Sequence, residues 1–134
     1  MTMILSAAVA VEGAEDSLTF KEDIFPFIQK SCVECHGPAY RDDRGRLRRP
    51  KANLRLDGKE FILLGGENND SLPNLTPGDP DRSAIYTTVI LPLSDHDHMP
   101  PEDTAEELTD LQKEMLRRWI AEGADFGGWT GETE

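Results

Sequence analysis

Apolar positions along the chain gather into a few short helical stretches separated by long polar connections. In TFKEDIFPFIQKS, residues 19–31, Phe20, Ile24, Phe27 and Ile28 recur at helical spacing and predict a first helix. Thr19 and Glu22 have the spacing of a capping box. Pro26 inside the pattern predicts a kink or an irregular first half. A short helix near 58–64 follows from Phe61, Leu63 and Leu64, with Asp57 as its N-cap and Gly65-Gly66 as its stop. Asp79 and Pro80 pair an N-cap with a proline at the first helical position and open a helix to about residue 90. Ala84, Ile85, Tyr86 and Val89 would form its buried side. The last helix has the plainest signature. Thr109 and Gln112 make a second capping box, Leu111, Met115, Leu116, Trp119 and Ile120 share one face, and Gly123 closes it.

No run alternates with period two and no internal repeat is present, so the fold class reads as all-α, with three to five short helices and long loops. Nine prolines and eleven glycines in 134 residues agree with that much loop. The length suits one domain with one modest core. We place it at 18–128, after a leader at 1–17 and before a polar tail at 129–134. In the leader, Met3 to Val11 is apolar and Ala8-Val9-Ala10 is an A-x-A pattern, but the positive n-region is missing. A degenerate signal peptide and a plain flexible leader both fit. No stretch has the length of a transmembrane segment.

The net charge of −12 disfavours nucleic acid and anionic membrane as partners and favours a protein with a basic docking face. One segment runs against this balance. Residues 37–51 hold Arg41, Arg44, Arg46, Arg48, Arg49 and Lys51 against Asp42 and Asp43, a local excess of four positive charges in a loop. A docking patch and a solvated insertion both account for it, the second being the commoner fate of a charge run.

The chemistry is concentrated in SCVECHGP, residues 31–38. Cys32 and Cys35 are the two cysteines of the chain, and His36 follows directly. Cys-x-x-Cys-His is the attachment pattern of c-type haem: two thiols join the macrocycle's vinyl groups, and the adjacent histidine lies beneath the iron as proximal ligand. Three other readings fare worse. A structural zinc site needs four ligands, and beyond the cysteines only His36, His96 and His98 are candidates, the last two badly spaced. A thioredoxin-like dithiol needs a βαβ setting, and a disulfide here would close only a tiny loop. For a sixth iron ligand, Met99 lies 63 residues after His36 in the loop His98-Met99-Pro100-Pro101. The prolines restrict that loop, and a thioether raises the reduction potential of the iron. His98 and His96 are the alternatives.

With these residues in view the chain resembles the planctomycete-type cytochrome c domain, a mono-haem branch of the class I cytochrome c superfamily. The matching residues are Phe20, Ile24 and Pro26, CVECHG (32–37), LRLD (54–57), GG (65–66) and PGDP (77–80) with Ser83. MPP (99–101), Leu108-Thr109, WI (119–120) and GA (123–124) complete them, over about residues 18–126. The resemblance implies a cytochrome c-like fold around haem c held covalently by Cys32 and Cys35, with His36 and Met99 as axial ligands. It also implies a first and a last helix packed together. Two stretches depart from the pattern, the arginine-rich 41–49 and Glu102–Glu107, each lengthening a link. The function expected is extracytoplasmic electron transfer to or from a redox partner protein, without catalysis. A haem-based sensor of CO, NO or peroxide, or a haem subunit of a larger redox enzyme, is the alternative. Arg55, or an arginine from 41–49, is a candidate partner for a haem propionate.

Overall fold

The computed structural model describes residues 18–67 and 72–131, so the leader at 1–17 and residues 132–134 of the tail lie outside it. The first helical stretch forms in two parts. Phe20–Ile24 is a π-helical turn, and α1, Phe25–Ser31, continues from it. Pro26 falls in the first turn of α1, where a missing N–H costs no hydrogen bond, so the wide turn replaces the expected kink. The Thr19–Glu22 box does not form. Thr19 donates instead to the Asp23 carboxylate, from its N–H at 2.8 Å and from its hydroxyl at 3.3 Å.

After α1 the chain makes a short antiparallel hairpin, β1 (Tyr40–Arg41) and β2 (Leu47–Arg48), pairing Tyr40 with Arg48 and Arg41 with Leu47. This corrects the all-α expectation. Two-residue strands exposed on both sides leave no alternation to read. Their cause is Asp42, whose carboxylate accepts the N–H groups of Arg44 (2.9 Å) and Arg46 (3.0 Å) and closes the turn.

A 3₁₀ turn, Lys51–Asn53, leads through Leu54–Leu56 to α2, Lys59–Leu64. The N-cap is Gly58, not Asp57. Asp57 is buried and holds Arg55 through two contacts, Nε–Oδ1 at 3.0 Å and Nη2–Oδ2 at 2.7 Å. A bidentate charged pair outcompetes a single capping bond. The turn at Pro80–Arg82 precedes α3, Ala84–Thr87, which is shorter than expected and is capped by Ser83. Ser83 is fully buried. Its Oγ accepts from Thr76 N–H (2.8 Å) and donates to the Asp79 carbonyl (2.9 Å), which knots the PGDP loop. Gly78 N–H to the Ile120 carbonyl, 2.7 Å, pins that loop to α4, Asp110–Ala121.

The Thr109–Gln112 box of α4 is present in both directions. Leu116, Trp119 and Ile120 are buried, but Leu111 is 69% exposed and does not join them. The core sits where the opening turn, α4 and the last described residues meet. Phe20 lies 4.7 Å from Trp119, 4.8 Å from Phe126 and 4.7 Å from Trp129, centroid to centroid. Trp129 is buried, Gly131 pairs with Gly58, and Lys59 N–H donates to the Thr130 carbonyl at 2.9 Å. Residues that read as a polar tail are thus part of the packing. The first and last helical regions meet as the family resemblance implied.

Candidate functional site

The end of α1 delivers the cysteine segment. Cys32 N–H completes the helix by donating to the Ile28 carbonyl (2.8 Å). Cys35 and His36 N–H groups then turn back onto the Cys32 carbonyl, at 3.2 and 2.9 Å. Gly37 is required next, because a Cβ there would lie 2.7 Å from the Val33 carbonyl oxygen. The stretch 51–56, a 3₁₀ turn followed by extended residues, runs alongside. Lys51 N–H donates to the Cys35 carbonyl (2.9 Å), and Leu56 N–H to the His36 carbonyl (2.7 Å).

Between these segments lies a half-open cleft of about 150 Å³. Cys32, His36 and Met99 line it together, with a mainly apolar wall of Leu54, Leu56, Ile85 and Val89. The His36 ring is fixed. Its Nδ1 lies 3.1 Å from the Leu54 carbonyl, and a carbonyl only accepts, so Nδ1 carries the proton and Nε2 is left bare. Burial holds the imidazole below its ordinary pKa, opposed in part by that hydrogen bond. A neutral ring with one anchored nitrogen is the state a metal ligand requires.

Met99 is positioned by backbone. Its N–H donates to the Thr88 carbonyl at the end of α3, 3.1 Å, which places the thioether at the cleft. Its neighbour His98 is 0% exposed and points elsewhere: Nδ1 lies 2.8 Å from the Pro100 carbonyl oxygen, and Nε2 lies 2.8 Å from Glu107 Oε2. The second contact is too bent for a hydrogen bond and acts as a close polar contact. His96 is exposed. Neither histidine lines the cleft, so the arrangement favours Met99 over both.

Cys35 is half-buried and is not among the lining residues, whereas Cys32 is. Both thiols are free, and burial, with Cys35 beside it, pushes Cys32 up to about 12. A redox dithiol needs the opposite, a lowered thiol pKa. Among the described residues no three His, Cys, Asp or Glu side chains group as a metal site would need, which weighs against zinc. The anchored imidazole, the thioether, the thiol and the apolar wall do fit a haem. Gly66 makes room in that wall, since a Cβ there would lie 2.6 Å from the Ala52 carbonyl oxygen.

The propionate partner expected from Arg55 is not available. Its guanidinium is committed to Asp57 and lies 3.8 Å over the Phe61 ring, and among the described residues no arginine or lysine lines the cleft. The residues missed by sequence are the Leu54 carbonyl, which a side-chain pattern cannot reveal, and Glu107. The latter lies in the lengthened 102–107 link, where its spacing from His98 carries no signal.

The sequence model of the family described as Planctomycete cytochrome C matches residues 32–103, more than half of the chain and the span from Cys32 through Met99. The class the cleft defines is thus a cytochrome c domain, with a few short helices, a small sheet and haem-based electron-transfer chemistry. The chain belongs to the Planctomycete cytochrome C family. No curated protein and no solved structure matches it.

Proposed function

We propose that the protein is a mono-haem c-type cytochrome that carries single electrons outside the cytoplasm. Cys32 and Cys35 would hold the haem by thioether bonds, and His36 and Met99 would be its axial ligands. When bound, the haem supplies the one-electron Fe(III)/Fe(II) couple. The chain's own residues do the rest. The Leu54 carbonyl fixes the His36 tautomer, the Thr88 carbonyl holds the Met99 backbone, and Leu54, Leu56, Ile85 and Val89 give the cleft its apolar wall. The observation that carries this reading is the His36–Leu54 bond of 3.1 Å in a cleft that Met99 also lines.

Among the described residues no helix is long and apolar enough to cross a membrane. The partner is a redox protein, and the −12 charge favours one with a basic docking face.

Expression with a haem-attachment system tests the reading directly. Visible absorption that stays with the polypeptide after denaturation is expected, and its absence would overturn the assignment. Met99→Ala should abolish the His/Met spectral signature and lower the potential. If both persist, His98 or His96 is the ligand. Rapid stoichiometric CO binding by the reduced native protein would favour a small-ligand sensor instead.

A further inference from the structure

We propose that the arginine hairpin 40–48 orients the redox partner by receiving a compact acidic patch on a partner face that is otherwise basic. This rests on the electron-carrier reading above.

Five observations converge on it. The hairpin carries positive charge on a molecule whose remaining residues hold fourteen more negative charges than positive ones, so its sign is a local exception. It is ordered rather than merely wet. Asp42 takes two backbone N–H groups and also lies 3.2 Å from Arg46 Nε and 3.1 Å from Arg48 Nε, while Arg41 donates to the Gly45 carbonyl at 3.0 Å. A preformed patch loses less entropy on docking than a loose one.

Not all of its charge is used internally. The side chain of Arg44 in its turn and that of Arg49, directly after β2, are exposed and make no ion pair among the described residues. The hairpin also exposes apolar surface, Tyr40 at 54% and Leu47 at 42%. Arginine with tyrosine is the composition of interface hot spots. Finally, its base is fastened to the site. Lys51 N–H donates to the Cys35 carbonyl, and Ala52, one residue on, lines the cleft. A partner held there lies beside the cysteine segment. Mixed signs at one contact then fix a single docking orientation, because rotating the partner brings like charges together.

An extended polyanion does not fit this surface, since it would also run over the acidic remainder. The test uses the haem-loaded protein and two probes. The first is hexacyanoferrate(II), which gives one electron to the oxidised protein and becomes hexacyanoferrate(III). At about 0.01 M salt, with screening over about 30 Å, the rate is expected to be high, and to fall as salt rises to about 0.1 M. Arg44→Glu with Arg49→Glu should lower the low-salt rate on the order of tenfold. Lys21→Glu, half that charge change and placed outside the hairpin, should leave it unchanged.

A native rate that rises with salt, or an equal loss in Lys21→Glu, overturns the proposal. The second probe, a short fluorescent oligoglutamate peptide, needs no haem. Anisotropy should report salt-sensitive binding that the arginine double variant loses. No binding, equal capture by phosphatidylserine-containing vesicles, or salt-sensitive self-association in sedimentation assigns the hairpin elsewhere and overturns it. Absence of covalent haem would sink the carrier reading and leave the peptide result standing.

Discussion

His98 shows how much one buried side chain can organise. Its Nδ1 is bonded to the Pro100 carbonyl and its Nε2 lies against the Glu107 carboxylate, so it packs between the two sides of the Met99–Pro101 segment. His98→Ala should leave a buried carbonyl without its donor, at a cost of about 1–3 kcal/mol. It should also let reduced protein take up CO that the native protein excludes, as read by stopped-flow absorbance. If CO uptake is unchanged while the melting temperature falls, His98 is structural only. The candidate site residues stand out in the sequence because their spacing is one that chemistry sets. Cys32, Cys35 and His36 admit few uses at that separation. Asp57 was misread for the opposite reason. Its capping potential is local, while the competing Arg55 contact depends on Arg55 lying over the Phe61 ring, a tertiary fact.

Among the elements, α4 was the most readable and the opening turn the least. The Thr109–Gln112 box is built from two local bonds of 3.1 and 2.9 Å, and local bonds survive translation from sequence. Thr109→Ala is therefore expected to cost about 1 kcal/mol in denaturant unfolding. Leu111 fitted the same helical period, but it lies in the first turn of α4, at the rim of a groove with Asp23, Pro26 and Phe27, before the helix reaches the core. Periodicity gives a face and does not say where along the helix that face is covered. The hairpin depends on one carboxylate. Hydrogen bonds from the Arg46 backbone above all, and from Arg44 and the Arg46 side chain, hold Asp42 below its ordinary pKa. A depressed carboxylate pKa means that its contribution is present above the ordinary value of 3.8 and lost as pH falls through the lower folded value. The amide signals of Arg44 and Arg46 should therefore keep their folded NMR positions at mildly acidic pH and move only below the ordinary carboxylate range. Asp42→Ala should release both at neutral pH.

Across the whole molecule, the aromatic cluster joins the two ends of the described chain. Phe20, near the start, and Trp129, near the end, meet at 4.7 Å, with Trp119 and Phe126 filling the space between. A tryptophan that follows two glycines has no periodic neighbours, so its burial could not be read from the pattern; it is imposed by packing. Trp129→Ala should cost about 3–5 kcal/mol. Trp129→Phe should cost much less, because the buried indole N–H has no acceptor among the described residues to lose. Thermal melts of the two variants would separate apolar burial from any hidden polar role.

The fastening of the Met99 loop has a dynamic consequence. With the Met99 N–H on Thr88, the His98 ring on Pro100 and Glu107 beyond it, the ligand proposed for the iron has few soft coordinates along which to shift. Under that ligation a change of oxidation state would find little to rearrange, so electron self-exchange is expected to depend only weakly on temperature. His98→Ala should steepen that dependence. On the proposed ligation, the stiffness of a loop with no regular secondary structure would set how readily an electron moves.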